Sequence, residues 1–319
     1  MFSKWMNSFY YGKSGKGDYT PENLPTNRWQ LFWEMLRVRL SALVRLNLMY
    51  VVPWLPTRIV LMIGALSFLT SLNNMVDSGE MIAVGELLGG VVAPTLLLLV
   101  PCITITGPFT SGVCYVTRNW ARDEHAFIWS DFKDAVKENW KQGIVLSLVT
   151  SLVPIIVYTC WNFYGSLAST QSAFMMVPQV LVLMVGVIWY LAITYMHPLI
   201  VSYKLRMRDV IRNGLLLAVA RLPMSIGLRL LHALPMIIGV VLMLFVSPMY
   251  CMLGLFAYYL LIGFSLSRFV TASYTNAVFD KYINAKIEGA VVNRGLYVPD
   301  DDDDEDEESG EDDSASPQA

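Results

Sequence analysis

Charge is what this chain is short of. Asp, Glu, Lys and Arg together make up 15% of its 319 residues, against 55% hydrophobic residues, and the mean hydropathy is +0.48. Such a balance lies outside the range of water-soluble domains. Histidine and cysteine are also scarce, three and four residues. Cys102, Cys114, Cys160 and Cys251 stand alone in or beside apolar stretches, without paired or metal-ligand spacing, which points to free thiols rather than disulfides or a cluster. His125, His197 and His232 have no carboxylate or Cys three or four residues further on, so no metal site is expected. The run GKSGKG at 12–17 fails the phosphate-loop spacing, because Lys16 is followed by Gly17. With no nucleophile, metal or phosphate motif, the expectation is a protein that is not an enzyme, with no cofactor and no nucleic-acid partner.

What the chain has in quantity is long apolar runs. A membrane-spanning helix needs roughly 20 mostly apolar residues, and about six such stretches occur: 41–72, 81–116, 143–163, 177–201, 225–246 and 252–272. The expected fold is therefore an all-α, polytopic membrane bundle of about six transmembrane helices. It divides into a cytoplasmic N-terminal segment with an amphipathic helix (1–40), a membrane domain (41–276), a cytoplasmic extension (277–299) and an acidic tail (300–319). The first span is too long and lies too far in to be a cleavable signal, so it is expected to stay as an anchor.

The net charge of −3 conceals a division. Twelve of the 26 acidic residues fall between Asp300 and Asp313, leaving 14 acids against 23 bases in residues 1–299. Those bases cluster before the first span, between spans two and three, and between spans four and five, whereas the connections SLNNMVDSGE, WNFYGSLASTQSAFMM and SPMY carry none. Basic loops stay in the cytoplasm, which predicts a multi-pass protein of the cell membrane with both termini cytoplasmic. The tail, a block of like charge without apolar residues, is expected to be disordered.

Within the second span the stretch TITGPFTSG raises a structural problem. Pro101 and Pro108 each remove a backbone donor, and with Gly107 they should kink or interrupt the helix unless the hydroxyls of Thr104, Thr106, Thr110 and Ser111 satisfy the freed carbonyls. Further on, residues 121–140 place Phe132, Val136 and Trp140 on an apolar face opposite Asp134, Lys137 and Lys141. Such a helix can lie in the interface against membrane lipids, dock a partner, or pack on the bundle. RWQLFWEMLRVRL has the same character, with Trp29, Phe32 and Leu36 on one stripe. DFKDAVKENWKQG before span three and LRMRDVIRNG before span five echo each other, as a parallel repeat of entry helix plus hairpin would.

Three segments together are similar to a known family: LNLMY around Asn47, VPCITITGPFTSGVCYVTR with Pro101, Thr104, Gly107, Pro108 and Tyr115, and DFKDAVKENWKQ with Asn139. They resemble the YesL-like integral membrane proteins of bacteria, whose domain has no established activity. About forty residues between LNLMY and PCITITG, including Arg58 and Glu86, exceed the short members, as does the acidic tail. The resemblance implies a polytopic membrane protein linked to carbohydrate-use and sugar-transporter genes, and a sugar-transporter subunit as partner.

Ionisable residues inside apolar spans are the remaining clue, because charge in hydrocarbon is costly and marks a bundle interior or aqueous cavity. Arg58, Glu86, His197, Arg229, His232 and Arg268 form the possible intramembrane polar site. Arg45, Arg229 and Arg268 lie at depths from which they could snorkel to the headgroups. Arg58 is deeper and needs either Glu86 as partner or a bend at Pro53 and Pro56. The favoured function is a non-enzymatic accessory or regulatory component of carbohydrate uptake, the alternative a small-molecule transporter or channel. A polar cavity inside the bundle would favour the alternative, and a dry centre the accessory role.

Overall fold

A computed structural model describes residues 24–78 and 84–297, with side chains described for all of these but 78 and 84–88. The run GKSGKG, the acidic tail and the Glu86 side chain lie outside the described residues.

Every regular element among the described residues is helical. The chain runs α1 (Arg28–Ser78), α2 (Val84–Trp120), α3 (Ile128–Thr170), a 3₁₀ turn (Ala173–Met175), α4 (Met176–Ser202), α5 (Met207–Ala220), α6 (Leu222–Leu242), α7 (Pro248–Tyr258), a π turn (Tyr259–Gly263), α8 (Phe264–Tyr282) and a last 3₁₀ turn (Asn284–Lys286). Six helical stretches are long and apolar enough to cross a membrane: α1, α2, α3, the 3₁₀ turn with α4, α6, and the composite α7–π–α8. Their apolar windows are buried inside the protein over only 6–22% of their residues. Leu, Ile, Val and Met side chains instead face outward along α1, α4, α6 and α7, an arrangement that water penalises and hydrocarbon does not.

Several elements are longer than the sequence pattern predicts. No helix end falls near residue 40: the amphipathic segment and the first span form one 51-residue helix, about 76 Å long at 1.5 Å per residue. Asn27 starts it: its side chain accepts from the backbone N–H groups of Trp29 and Gln30 at 3.1 and 2.9 Å, a helix cap by a residue suited to it. Pro53 and Pro56 lie inside the helix without ending it. Likewise no separate interfacial helix covers 121–140. A turn through Asp123 (φ 56°) closes α2, and α3 then runs unbroken from Ile128 through the third span. The two echoing segments differ in consequence. The first is continuous with its span, whereas the second is a separate helix, α5, ended at Arg221 before Pro223, which lacks the N–H to extend it.

Two apolar cores hold the bundle together. One joins Leu43, Leu46 and Tyr50 of α1 to Val113, Val116 and Trp120 of α2 and Phe269 of α8. The other joins Leu146 of α3, Tyr195, Met196 and Leu199 of α4, Val210 and Ala218 of α5, and Val278 and Phe279 of α8. Because α8 enters both, it is the central helix.

The contact between α2 and α3 accounts for the Gly-Pro step. A Cβ on Gly107 would stand 2.1 Å from the carbonyl oxygen of Gly143, and one on Gly143 would stand 2.8 Å from the Pro108 nitrogen. The two backbones therefore touch, which only glycine permits. The nearby hydroxyls act differently from expectation. Those of Thr104, Thr106, Thr110 and Ser111 bond the carbonyls of Val100, Ile103, Thr106 and Gly107, not those of Leu97 and Thr104 that Pro101 and Pro108 leave without a donor. The helix continues through the step rather than breaking.

At the end of the bundle where α1, α3 and α6 begin, residues 283–297 fold back across it. Asp280 receives Arg28, the Asn284 amide at 2.6 Å and the Asn293 N–H at 3.1 Å. Arg294 pairs with Glu124 at 2.6 Å, and the Tyr297 N–H reaches the Pro25 carbonyl at 2.9 Å.

Candidate binding cavity within the bundle

The sixth span is broken at its middle by the π turn at 259–263, where an extra residue per turn disturbs the regular backbone pattern. Asn47, fully buried on α1, holds the break. Its amide nitrogen donates to the carbonyls of Tyr259 and Leu260 at 2.9 and 2.7 Å, and its oxygen accepts from the N–H groups of Phe264 and Ser265 at 3.0 and 2.9 Å. All four hydrogen-bonding positions of one side-chain amide are thereby used. Ser265 adds a bond to the Leu43 carbonyl at 2.8 Å. Gly263 is required inside the turn, since a Cβ there would meet the Tyr259 and Tyr258 rings at 2.7 and 2.8 Å.

Beside this turn lies a cavity of about 230 Å³. α1 contributes Tyr50, Trp54 and Arg58, spaced four apart and so on one face. α4 supplies Thr194, α6 supplies Arg229 and His232, the turn supplies Tyr259, and α8 supplies Phe264, Ser267, Arg268 and Thr271. The guanidinium of Arg58 lies over the Phe264 ring, 4.4 Å from its centroid. Arg229 stacks on Tyr190 at 4.2 Å and donates to that residue's carbonyl at 2.6 Å. Arg268 reaches the Tyr50 hydroxyl at 3.4 Å, and Thr271 meets the His232 Nε2 at the same distance. Three donors on its lining residues are enclosed by protein and lack a partner among the described residues: the Thr194 hydroxyl, the Trp54 indole N–H and the Arg229 Nε–H. Among the described residues no Asp or Glu lines the cavity.

The sequence-derived polar set is thus brought together in part. Arg58, Arg229, His232 and Arg268 share the cavity, whereas His197 is buried nearby without lining it, its Nδ1 lacking a partner among the described residues. Arg229 and Arg268 do not run out to the headgroups as snorkelling side chains would, because their π and hydroxyl partners draw them inward. Arg45 is exposed on the outer face of α1. Arg58 lies on an unbroken helix and takes Phe264 as its neighbour. Sequence reasoning missed the aromatic and hydroxyl lining. The four-residue spacing of Tyr50, Trp54 and Arg58 was the available signal.

The motif residues divide by role. Asn47, Gly107 and Pro108 are fold devices at buried helix contacts, Tyr115 stacks on Arg118 at 4.7 Å, and Asn139 bonds back to the Ala135 carbonyl at 2.9 Å. Pro101 is exposed and Thr104 half-buried. On α3, Phe132 is buried and Val136 half-buried against Gly112 of α2, so of the expected docking face only Trp140 remains exposed, joined by Trp129.

Residues 43–161 match a family described as "Protein of unknown function, DUF624". The likeness to DUF624 covers a little over a third of the chain. It takes in most of α1, all of α2 and the greater part of α3, and with them Asn47, the Gly107–Gly143 contact and the α1 wall of the cavity. The α4, α6 and α8 walls lie beyond the segment similar to DUF624. No curated protein matches the chain, nor does any solved structure.

Proposed function

We propose that this chain is a YesL-like, multi-pass protein of a cell membrane, with both termini cytoplasmic, that binds a small polar solute inside its bundle and passes it across without enzymatic chemistry. One observation carries the reading: a polar cavity is built from four separate spans at the point where the sixth is broken. Broken helices at internal sites are how membrane carriers present polar groups at depth. Neither a cofactor nor a nucleic-acid partner enters this reading. In proteoliposomes the purified chain should move a solute at a rate that falls at least tenfold with Trp54→Ala or Thr194→Val. A solute panel that crosses no faster than through empty liposomes refutes it.

The exposed indoles of Trp129 and Trp140, 67% and 49% accessible at the start of α3, favour a second reading. In it the chain is an accessory of carbohydrate uptake, as the YesL-like resemblance implies, and docks a transporter subunit or lipid headgroups through these rings. Replacing both by Ser should release a copurifying permease while leaving thermal stability unchanged. Retention of the permease refutes the docking.

A further inference from the structure

We infer that the solute held in this cavity is a small organic oxyanion, a carboxylate or phosphate on a body of about hexose size. The inference rests on the solute-binding reading above and supplies its substrate class.

Charge is the first ground. Arg58, Arg229 and Arg268 reach one cavity from three different helices, and among the described residues no carboxylate lines it. A guanidinium inside a span is tolerated only where something compensates it, and what is present, the Phe264 and Tyr190 rings and the Tyr50 hydroxyl, stabilises without neutralising. A neutral sugar would leave the three charges uncompensated, and a cation would be repelled by them.

Hydrogen-bonding sense is the second. The Trp54 indole and the Arg229 Nε–H can only donate, and the Thr194 hydroxyl, on a residue 2% exposed, is likewise unpartnered. Spare donors on the lining side chains suit a ligand made of acceptors, which reaches them once those side chains turn toward it. Carboxylate and phosphate oxygens are acceptors only, and they match the planar fork of Arg better than a spherical halide does.

Size is the third. Some 230 Å³ exceeds a lone ion by far, given that a water takes about 30 Å³ of liquid, and Trp54, Tyr259 and Phe264 among the lining residues supply apolar carbon for a body attached to the anion.

The same oxyanion chemistry is available from solution or from a lipid headgroup. A second, apolar groove of about 690 Å³ between α1, α6 and α8 shares Ser267 with the cavity, so the source must be tested as well as the charge.

The full chain, delipidated in uncharged detergent, is titrated with glucose, glucuronate, glucose 6-phosphate and short-chain phosphatidylglycerol, following thermal stability and tryptophan emission. The charged hexoses, the phospholipid, or both should raise the melting temperature, and glucose should not. A response to the hexoses alone assigns a soluble ligand, and a response to the phospholipid alone assigns a headgroup. Apparent affinity should fall at least tenfold in Arg229→Gln and Arg268→Gln, recover in part in Arg268→Lys, and weaken as salt rises from 0.1 to 1 M. Because the Gln variants could lose their fold, Trp54→Phe gives an independent reading: the emission change on binding should vanish while the melting temperature without ligand holds. Glucose binding as well as its charged relatives, indifferent to salt, overturns the oxyanion and leaves the solute reading standing. No response to any charged probe by a folded chain overturns the inference.

Discussion

Asn47→Ala isolates what one buried amide contributes to the break in the sixth span. The wild-type side chain makes four hydrogen bonds of 2.7–3.0 Å to the backbone around the π turn, at a residue with no exposed surface. A net 0.5–1.5 kcal/mol each, the usual range for a hydrogen bond in a folded protein, sums to about 4 kcal/mol, well above the roughly 1 kcal/mol of an average point substitution. Asn139→Ala is the matched control. It removes one bond, back to Ala135, from a helical position outside the apolar run, and should cost under about 0.5 kcal/mol. With Cys102, Cys160 and Cys251 replaced by Ser, thermal unfolding in detergent can be followed through Cys114, a free thiol 4% exposed that a fluorescent maleimide reaches only when the helices around it part. Asn47→Ala should unfold many degrees below wild type and Asn139→Ala at nearly the same temperature. Equal melting of the two variants would refute the reasoning, because the π turn would then need no side-chain support.

Gly107→Ala should separate α2 from α3 and cost several kcal/mol, since the added carbon meets backbone that cannot move aside, while Gly227→Ala, which meets nothing within 4 Å, should be neutral or gain up to about 1 kcal/mol of helix propensity; comparing the two melting temperatures checks this. Asp280→Ala strands the Asn293 N–H and leaves Arg28 only the Asn293 side-chain oxygen at 3.0 Å; it should lower stability by about 1–3 kcal/mol, accompanied by proteolytic release of residues 283–297. Burial holds the Asp123 carboxyl above its usual range, Glu34 adding to the shift and Arg39 opposing it. Below the ordinary carboxylate range both folded and unfolded chains are protonated there and nothing is lost; as pH rises the unfolded chain ionises first and stability drains until the raised folded value is passed. Asp123→Asn should therefore stabilise at neutral pH and be neutral in acid, and a gain that grows toward low pH would reverse the assignment.

How much of this fold could be read beforehand depends on which physical signal each part leaves in the chain. Hydropathy reported the six spans because solvation by hydrocarbon acts on every residue of a span at once. It could not report where α1 or α3 begins. Amphipathic entry helices such as 29–40 and 128–142 differ from spans in composition but not in backbone geometry, so nothing obliges a break between them. The one entry helix that did separate, α5, is followed by Pro223, a local signal that the other two lack. The Gly-Pro step in α2 is visible in the sequence as a kink or interruption; the helix runs on through it, and the missing Cβ of Gly107 matters because Gly143, far away in sequence, arrives opposite it.

The cavity was half legible for a related reason. Cost in hydrocarbon picks out Arg58, Arg229, His232 and Arg268 wherever they stand, but the direction in which a guanidinium turns is fixed by its neighbours. Snorkelling and inward stacking begin from the same depth, and Tyr190, one helix away from Arg229, decides between them. The hydroxyl and indole donors carry no cost signal at all, since a Thr or Trp in a span is ordinary until its hydrogen bond is found missing. Charge therefore locates an intramembrane site in sequence, while the partners that make it selective appear only once helices distant in the chain are set side by side.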